Sequence, residues 1–538
     1  MKPKKISSFL RGIRNIYRES AGVGELSRHA VMPHPDLQAR IRKELAGLRR
    51  KGTRLLTPML RLRRPTPTGM NDGLIFPGTL FPPGTPPGVV RSAAADRAPL
   101  RGDVRVLVIL VEFSDLSMKR PAAEFEELFF SRGTLSTGSV REYYLEASGG
   151  LVNIVGQVVG PYRLSSPMHH YAHGASGMGQ AAPNARNMAR EAMELVQGVD
   201  FARYDNDGNG FVDALVLIHA GPDAERTGNP EHLWSHKWVL SGGPHDVDGI
   251  RLYAYLTIPE EARVGVCAHE LGHILFGWID FYDTDCTSSG LGNWCLMAGG
   301  SWNNDGATPA HPSAYCKADQ GWVKVERVDR EGLVAVADVQ TGRKVYALWR
   351  DGLGGQEYFL LENRRKKGFD AYLPGEGLLI YHVDDSIGFN TDESHPKVAL
   401  MQADGRMDLE TGANRGDDGD VFPGSTGNAR FAGDTTPGSR AYNGRETGIG
   451  VLPVGQEGEV VKVRFLVGGA LPPSETPPGG GGGADLVERD GSRDDLAALE
   501  VRVRALEEAV MVGRPFIDRE LRAPVLCSGF CAEEERGR

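Results

Sequence analysis

The chain of 538 residues lacks any long apolar run. Its most apolar stretch, VRVLVILVEF at 104–113, is shorter than the roughly 20 residues that a transmembrane helix needs, and it is typical of a buried strand. Residues 1–30 start with several basic side chains, but the apolar run of about 7 to 15 residues that defines a signal peptide is missing after them. We therefore predict no transmembrane segment and find no clear signal peptide in this sequence.

Cysteine is scarce, and residues 1–100 have none. Four of the six cysteines fall within 50 residues of one another: Cys267, Cys286, Cys295 and Cys316. None of these is spaced as Cys-x-x-Cys, which argues against a cysteine zinc site. Two disulfides among them would indicate an oxidising compartment, whereas reduced core cysteines would not, and sequence alone does not give the pairing. Cys527 and Cys531 are close enough to form a small local loop.

Positive charge is in deficit over most of the chain. The net charge is −9, but residues 1–64 hold 17 Lys and Arg against 4 Asp and Glu, so the remainder carries −22. An acidic body argues against general nucleic-acid binding. The basic start is suited to lie on this acidic body, as a propeptide does.

Residues 269–273 read His-Glu-Leu-Gly-His. Histidines four apart lie on one face of a helix, so His269 and His273 can reach a single Zn²⁺, and Glu270 can act as general base on a metal-bound water. A solvated helix face can carry the same five residues without a metal. Apolar residues on both sides of the motif, in 264–267 and 274–276, favour instead a buried helix whose polar side chains point into a cleft.

Further candidate residues lie after this helix. Gly277 offers a place for the helix to end, and Asp280 is then positioned to return as a third metal ligand. Met297 lies in a turn-prone segment of small residues, although a core methionine that fills a gap is the commoner use. His311 is a weaker candidate ligand that we expect at the surface or in the cleft.

These features resemble the zinc signature of the metzincin peptidases, H-E-x-x-H-x-x-G-x-x-H followed by a Met-turn. Within that group the chain resembles the immune inhibitor A family of secreted bacterial metallopeptidases, which look like HELGHxxGxPDxYD and have aspartate as the third ligand. Four other segments carry the resemblance, which spans about residues 101–460: RGDVRVLVILVEFSD (101–115), YDNDGNGFVDALVLIHAG (204–221), LWSHKW (233–238) and EYFLLENRRKKGFDAYLPGEGLLIYHVD (357–384).

The chain departs from the metzincin pattern at one point. Three residues separate His273 from Gly277 where the pattern has two. One inserted residue rotates the residues after it by about 100° if the helix continues. Asp280 is therefore the third ligand only if the loop absorbs the extra residue, and Asp283 is the alternative.

A second metal site is predicted in the segment 205–213. Asp205, Asp207 and Asn209 alternate as in the first half of a calcium loop, and Asp213 would have to close the site because Val216 stands where an EF-hand has glutamate. An ordinary turn rich in Asp, Asn and Gly is the alternative. The family resemblance favours a structural Ca²⁺.

The overall expectation is an α+β fold. We predict a propeptide-like region with a Pro- and Gly-rich connector at 1–100. Because this region has no cysteine, it cannot inhibit the enzyme by placing a thiolate on zinc. A metzincin-like catalytic domain, a mixed sheet with the active-site helix, is predicted at 101–325. Short alternating strands predict a β-rich domain at 326–468, followed by a Pro/Gly linker at 469–485 and a helical tail at 486–538. Apolar spacing at 494–511 allows weak self-association.

The resemblance implies a secreted zinc endopeptidase that acts on proteins or peptides. Two other classes remain open. One is an inactive binding protein on a peptidase scaffold, against which the intact His269, Glu270 and His273 argue. The other is a calcium-stabilised adhesion or capture protein in which the β-rich part dominates.

Overall fold

The computed structural model describes residues 31–50, 67–284, 286–349 and 355–468. The predicted linker at 469–485, the tail at 486–538, and Cys527 and Cys531 lie outside these residues, so self-association through the tail stays a prediction. In the part of the chain that is described, no helix has both the length and the apolar character to cross a membrane.

The helices and strands of the described residues alternate along the chain, with the strands paired into several sheets. The α-helices are α1 (Pro35–Arg50), α2 (Pro87–Arg91), α3 (Ala93–Asp96), α4 (Ala122–Phe130), α5 (Val140–Ser148), α6 (Met168–Ala172), α7 (Ala185–Leu195), α8 (Ala224–Thr227), α9 (Val264–Phe276), α10 (Ala314–Asp319), α11 (Val339–Gly342) and α12 (Asp408–Thr411). The strands are β1 (Gly102–Glu112), β2 (Val152–Arg163), β3 (Leu215–His219), β4 (His236–Val239), β5 (His245–Val247), β6 (Ile250–Leu252), β7 (Ala254–Pro259), β8 (Lys324–Val328), β9 (Gly332–Val336), β10 (Lys344–Leu348), β11 (Glu357–Arg364), β12 (Gly377–Asp384), β13 (Val398–Leu400), β14 (Gly450–Glu457) and β15 (Val460–Leu466). Short 3-10 helices lie at Gly78–Leu80, Phe201–Tyr204, Gly292–Trp294, Gly299–Gly306 and Gly368–Tyr372.

The first sheet has five strands in the order β2-β1-β3-β7-β4. Strands β2, β1, β3 and β7 are parallel to their neighbours, and β4 pairs antiparallel with β7 at the edge. Strand β1 is the apolar run that the sequence predicted at 104–113, and most of its residues are buried. Strands β6 and β7 follow each other closely along the chain but pair with different partners.

Both faces of this sheet are covered. Alternate residues of β1 point to opposite sides of the sheet, as the pleat requires. Val106 and Val108 belong to a core that includes residues of α4, α5 and α9. Leu107 and Ile109 belong to a second core that includes residues of α7. The sheet therefore holds α9, which carries the HELGH motif, against its first face.

The remaining strands form two further sheets. One has the order β13-β12-β11-β10-β8, and the other has the order β14-β15-β9. Side chains of β12 alternate between cores: Leu379 and Tyr381 join the core of the first sheet, while Leu378 and Ile380 pack with β15. The described structure is thus a mixed α and β fold with several sheets, and the domain boundary at 325/326 stays a prediction.

Candidate metal centre and active site

Helix α9 is buried along its whole length from Val264 to Phe276. It ends at Gly277, whose φ of 69° is left-handed. A Cβ atom there would lie 2.6 Å from the backbone nitrogen of Ala95, so both conformation and space favour glycine. The extra residue before Gly277 therefore extends the helix, and the chain turns back immediately after it.

That turn brings Asp280 to the two histidines. Its Oδ1 lies 3.0 Å from His269 Nε2 and 3.3 Å from His273 Nε2, and the two Nε2 atoms are 3.1 Å apart. All three side chains are buried. Burial raises the pKa of a carboxyl group, yet the two histidines hold the pKa of Asp280 well below its usual value. Two imidazoles and a carboxylate thus converge on one point.

Asp283, the alternative third ligand, has another role. Its Oδ2 accepts hydrogen bonds from the backbone nitrogens of Thr287 and Ser288, at 3.1 and 2.8 Å, and from the Thr287 hydroxyl at 2.8 Å. It therefore holds the turn that comes after the site, while Asp280 is the acidic residue that the structure groups with the histidines.

Backbone carbonyl groups orient both histidines. His269 Nδ1 lies 3.0 Å from the Leu296 oxygen, and His273 Nδ1 lies 2.5 Å from the Trp278 oxygen. A carbonyl oxygen only accepts hydrogen bonds, so each Nδ1 carries a proton and each Nε2 is the ring nitrogen that faces the centre. A proton on Nδ1 is what coordination of a metal through Nε2 requires.

Glu270 lies beside this centre and is fully buried. Neither of its oxygens has a hydrogen-bond partner among the described residues. Burial raises the pKa of Glu270 to about 8, with His269 opposing the shift and Asp280 adding to it. A buried carboxyl group without a hydrogen bond is rare in folded proteins and calls for an explanation such as a bound ion or water.

Met297 packs under the helix. A Cβ atom on Gly272 would lie 2.7 Å from the Met297 sulfur, so the sulfur fills the space that this glycine leaves open. The backbone of the same segment also contributes, because Leu296 holds His269 and the Met297 oxygen accepts from the Phe281 nitrogen at 2.7 Å. Leu296 and Met297 thus position both His269 and the loop that carries Asp280.

His311 does not belong to this centre, and it is buried instead of lying at the surface. Its Nε2 is 2.9 Å from Glu146 Oε1, and its backbone nitrogen donates to Asp370 Oδ1 at 2.8 Å. The four cysteines near the site are all buried. Cys267, Cys295 and Cys316 are thiols outside any disulfide in this structure.

The segment 67–75 covers one side of the centre. Asn71 donates its side-chain amide to Asp280 Oδ2 at 3.3 Å. Its backbone nitrogen donates to the Lys237 oxygen at 3.0 Å, and its Oδ1 accepts from the Lys237 nitrogen at 2.8 Å. Lys237 Nζ is fully buried and donates to Gly69 and Leu74 carbonyl oxygens and to Asp72. The segment is therefore fastened to edge strand β4.

The predicted calcium ligands also lie together. Carboxylate oxygens of Asp205, Asp207 and Asp213 are within 4.8 Å of one another, and Asn209 lies in the same loop. A protein cation is already present, because the Arg97 guanidinium pairs with both Asp207 and Asp213.

Asn71, Lys237 and Arg97 were not predicted from sequence. Asn71 and Arg97 lie in or near a connector rich in Pro and Gly, where no periodicity indicates a partner. Only a lysine within the apolar run of β4 was a possible signal, because a buried lysine needs acceptors.

The geometry can be compared with known proteins. Residues 94–328 match the family described as immune inhibitor A peptidase M6, catalytic domain. Immune inhibitor A of Bacillus thuringiensis subsp. alesti is 30% identical over 309 residues, which cover 46% of this chain and 45% of that protein. The pre-pro-metalloprotease PrtV of Vibrio cholerae serotype O1 (strain M66-2) is 31% identical over 286 residues, which cover 43% of this chain and 31% of that protein.

These matches confirm the family resemblance inferred from the motifs, and they support the metallopeptidase class. This chain spans less than half the length of the curated relatives that it matches.

Proposed function

Since residues 94–328 match the catalytic domain of the immune inhibitor A peptidase family, we propose that this protein is a zinc-dependent endopeptidase that hydrolyses peptide bonds in proteins. The observation that carries the proposal is the meeting of His269, His273 and Asp280 beside Glu270, whose oxygens have no partner among the described residues. Protein or peptide substrates are expected for the same class of enzyme.

The three converging side chains fit a zinc ion. Two imidazole nitrogens and one carboxylate oxygen are a known donor set of catalytic zinc sites. His269 and His273 present Nε2 lone pairs, and Asp280 presents Oδ1. When bound, Zn²⁺ polarises the scissile carbonyl and lowers the pKa of water toward neutrality. The predicted calcium site at 205–213 is separate from this zinc site, and two of its carboxylates pair with Arg97.

Glu270 is proposed as the general base. It adjoins His269 in the helix, close to the centre but outside the converging ligand set, so its carboxylate remains able to exchange protons. Glu270 accepts a proton from the attacking water and passes it to the leaving amine. The surrounding apolar helix and its burial keep bulk water from competing for this proton.

We further propose that the fold is metzincin-like. Support comes from the order along the chain: a sheet with an antiparallel edge strand, helix α9, a glycine turn, the acidic third ligand and then Met297 beneath the helix. Location outside the cell is proposed on the family resemblance alone.

The N-terminal region is proposed to act as a propeptide. Segment 67–75 uses the main-chain groups of Lys237 on edge strand β4, and an edge strand is where an extended peptide adds to a sheet. Earlier residues lie on the same side, because the Val31 nitrogen donates to the Ser235 oxygen at 3.1 Å. A substrate that pairs with β4 must displace this segment.

The test of the proposed function is Glu270→Gln. Glutamine keeps the size of the side chain but accepts no proton, so we expect zinc content to stay unchanged and kcat for casein to fall by about 100-fold or more. Metal analysis and a casein assay with and without chelator measure the two effects. Exposed Glu261 gives the matched control, and Glu261→Gln should behave as wild type.

Two results would contradict the proposal. A purified protein that takes up no zinc, or that holds zinc without chelator-sensitive cleavage even when Asn71→Ala loosens segment 67–75, would favour the inactive binding or adhesion protein. Glu270→Gln cleaving casein at the wild-type rate would remove Glu270 from the role of general base.

A further inference from the structure

Arg97 lies at the centre of the loop 205–213. Its Nη1 atom contacts Asp213 Oδ1 and lies 3.3 Å from Asp207 Oδ2. The Arg97 side chain is only 8% exposed, and that of Asp213 is 1% exposed. A buried ion pair of this kind is retained only when its partners are well placed. The guanidinium therefore stands among the carboxylates where the sequence predicts Ca²⁺.

The side-chain oxygens of this loop accept hydrogen bonds from the loop's own backbone amides. Both oxygens of Asp205 accept backbone amides, from Asn209 at 2.9 Å and from Gly210 at 2.8 Å. Asp207 Oδ1 also accepts from the Asn209 nitrogen, at 3.2 Å, and Asn209 Oδ1 accepts from Phe211 at 2.9 Å. The backbone nitrogen of Asn206 donates to Asp213 Oδ2 at 2.6 Å.

Every side-chain oxygen of the four predicted ligands thus accepts a hydrogen bond from the protein. Calcium requires six to eight oxygen ligands arranged around one point. With Arg97 between two of the carboxylates, these residues do not fit Ca²⁺.

Arg97 also reaches helix α9. Its Nη2 atom donates to the Leu275 oxygen at 2.8 Å. Leu275 is in the last turn of α9, where carbonyl groups lack helical partners and a positive charge is favourable. Asn206 fastens the other side of the loop by pairing with the backbone of Arg105 in β1, at 2.7 and 3.1 Å.

We propose that Arg97 replaces a structural Ca²⁺ in this chain, neutralising the 205–213 loop and tying it to the C-terminal end of helix α9. The same side chain thereby links the loop to the helix that carries His269 and His273, which a calcium ion confined to the loop would not do. Folding of this region is then independent of calcium.

The test compares thermal unfolding of the zinc-loaded full chain with and without millimolar Ca²⁺. We expect the Tm of the wild type not to respond to calcium. Arg97→Ala should lower the Tm by several degrees without calcium, and added Ca²⁺ should recover part of the loss. The matched control is Arg91→Ala, which removes an arginine of the same connector that contacts Thr68 and not the loop.

The double variant Arg97→Ala with Asp205→Asn shows whether calcium restores the Tm by binding at loop 205–213. It should lose the recovery by calcium, and a response that persists there would place the ion elsewhere and overturn the proposal. The proposal also fails if calcium raises the Tm of the wild type and Asp205→Asn abolishes that rise, or if Arg97→Ala matches the wild type.

Calcium titration of the wild type by calorimetry covers the case in which Arg97→Ala does not fold. Heat of binding that Asp205→Asn removes would overturn the proposal. No binding at this loop, together with a folded, charge-preserving Arg97→Lys whose Tm does not respond to calcium, would support it.

Discussion

Two backbone carbonyl groups fix the chemistry of the candidate zinc ligands. The oxygens of Leu296 and Trp278 each hold an Nδ1 atom, so His269 and His273 turn their Nε2 atoms to Asp280. Neither carbonyl belongs to a side chain that a motif search would single out. The HELGH motif thus contains the two candidate histidine ligands, while the backbone at Trp278 and Leu296 supplies their orientation.

The two aspartates after the helix should respond differently to mutation. Asp280→Asn removes the charge that faces both histidines, and we expect the zinc affinity to fall by more than about 10-fold, the loss typical even of outer partners of a metal site. Asp283→Asn should keep zinc and lower the Tm, because Asp283 holds the amides of Thr287 and Ser288. Zinc titration and thermal unfolding measure the two effects. Loss of zinc in Asp283→Asn with retention in Asp280→Asn would reverse the assignment.

At the scale of elements, strand β4 is a buried edge strand of the first sheet, and segment 67–75 hydrogen-bonds to its backbone. Asn71 is the residue that contacts both β4 and Asp280. Asn71 therefore ties the centre of the cover to β4, and one of its hydrogen bonds also reaches the candidate ligand Asp280.

We expect Asn71→Ala to raise kcat/KM for casein in the full-length protein. The variant loses two side-chain hydrogen bonds, each contributing about 0.5 to 1.5 kcal/mol, so the uncovered population should rise roughly 5- to 150-fold. Zinc content is measured in parallel, and exposed Val89→Ala serves as the control in the same region. Equal rates for Asn71→Ala and wild type at equal zinc would rule out a covering role for Asn71.

At the scale of the whole molecule, a buried charge network joins the region of the centre to the second sheet. Arg364 of β11 donates to Asp370 at 2.8 and 2.5 Å. Asp370 also accepts from the backbone nitrogen of His311 at 2.8 Å. Arg364 also donates to the Trp294 oxygen at 3.3 Å. Burial alone would raise the pKa of Asp370, but Arg364 and His311 hold it well below its usual value.

Asp370→Asn should lower the free energy of unfolding at pH 7 by about 3 to 5 kcal/mol, because it leaves Arg364 buried with one carboxylate partner fewer. A carboxyl group with a depressed pKa stabilises the fold above its unfolded pKa of about 3.9, and this stabilisation is lost as the pH falls toward its folded pKa. The variant should therefore lose stability less steeply below about pH 4 than the wild type.

Urea unfolding at pH 7 and at about pH 3 measures both effects. The exposed pair of Asp434 and Arg430 offers a control, and Asp434→Asn should change stability little. Parallel pH dependence in Asp370→Asn and wild type would show that Asp370 is not the group that titrates.

The sequence could predict features that depend on local patterns of residues, but not those that depend on contacts between residues far apart along the chain. Strand β1, helix α9 and its end at Gly277 were predictable from apolar spacing and turn chemistry within 20 residues of each motif, whereas the choice between Asp280 and Asp283 was left open. Asn71, Lys237 and Arg97 act on groups more than 100 residues away, and no local periodicity encodes such a pairing. Loop 205–213 shows the same limit. Its residues follow the calcium-loop pattern, but Arg97, which is distant in sequence, pairs with two of its carboxylates.

The alternation of β12 between two cores determines which part of the chain can be transferred to another protein as one unit. The match to the family's catalytic domain ends at residue 328, yet Leu379 and Tyr381 lie in the same core as Phe276 of helix α9. A gene fusion cut at the end of the similarity would carry the catalytic residues with one wall of their core missing. The smallest transplantable catalytic piece therefore extends at least through β12.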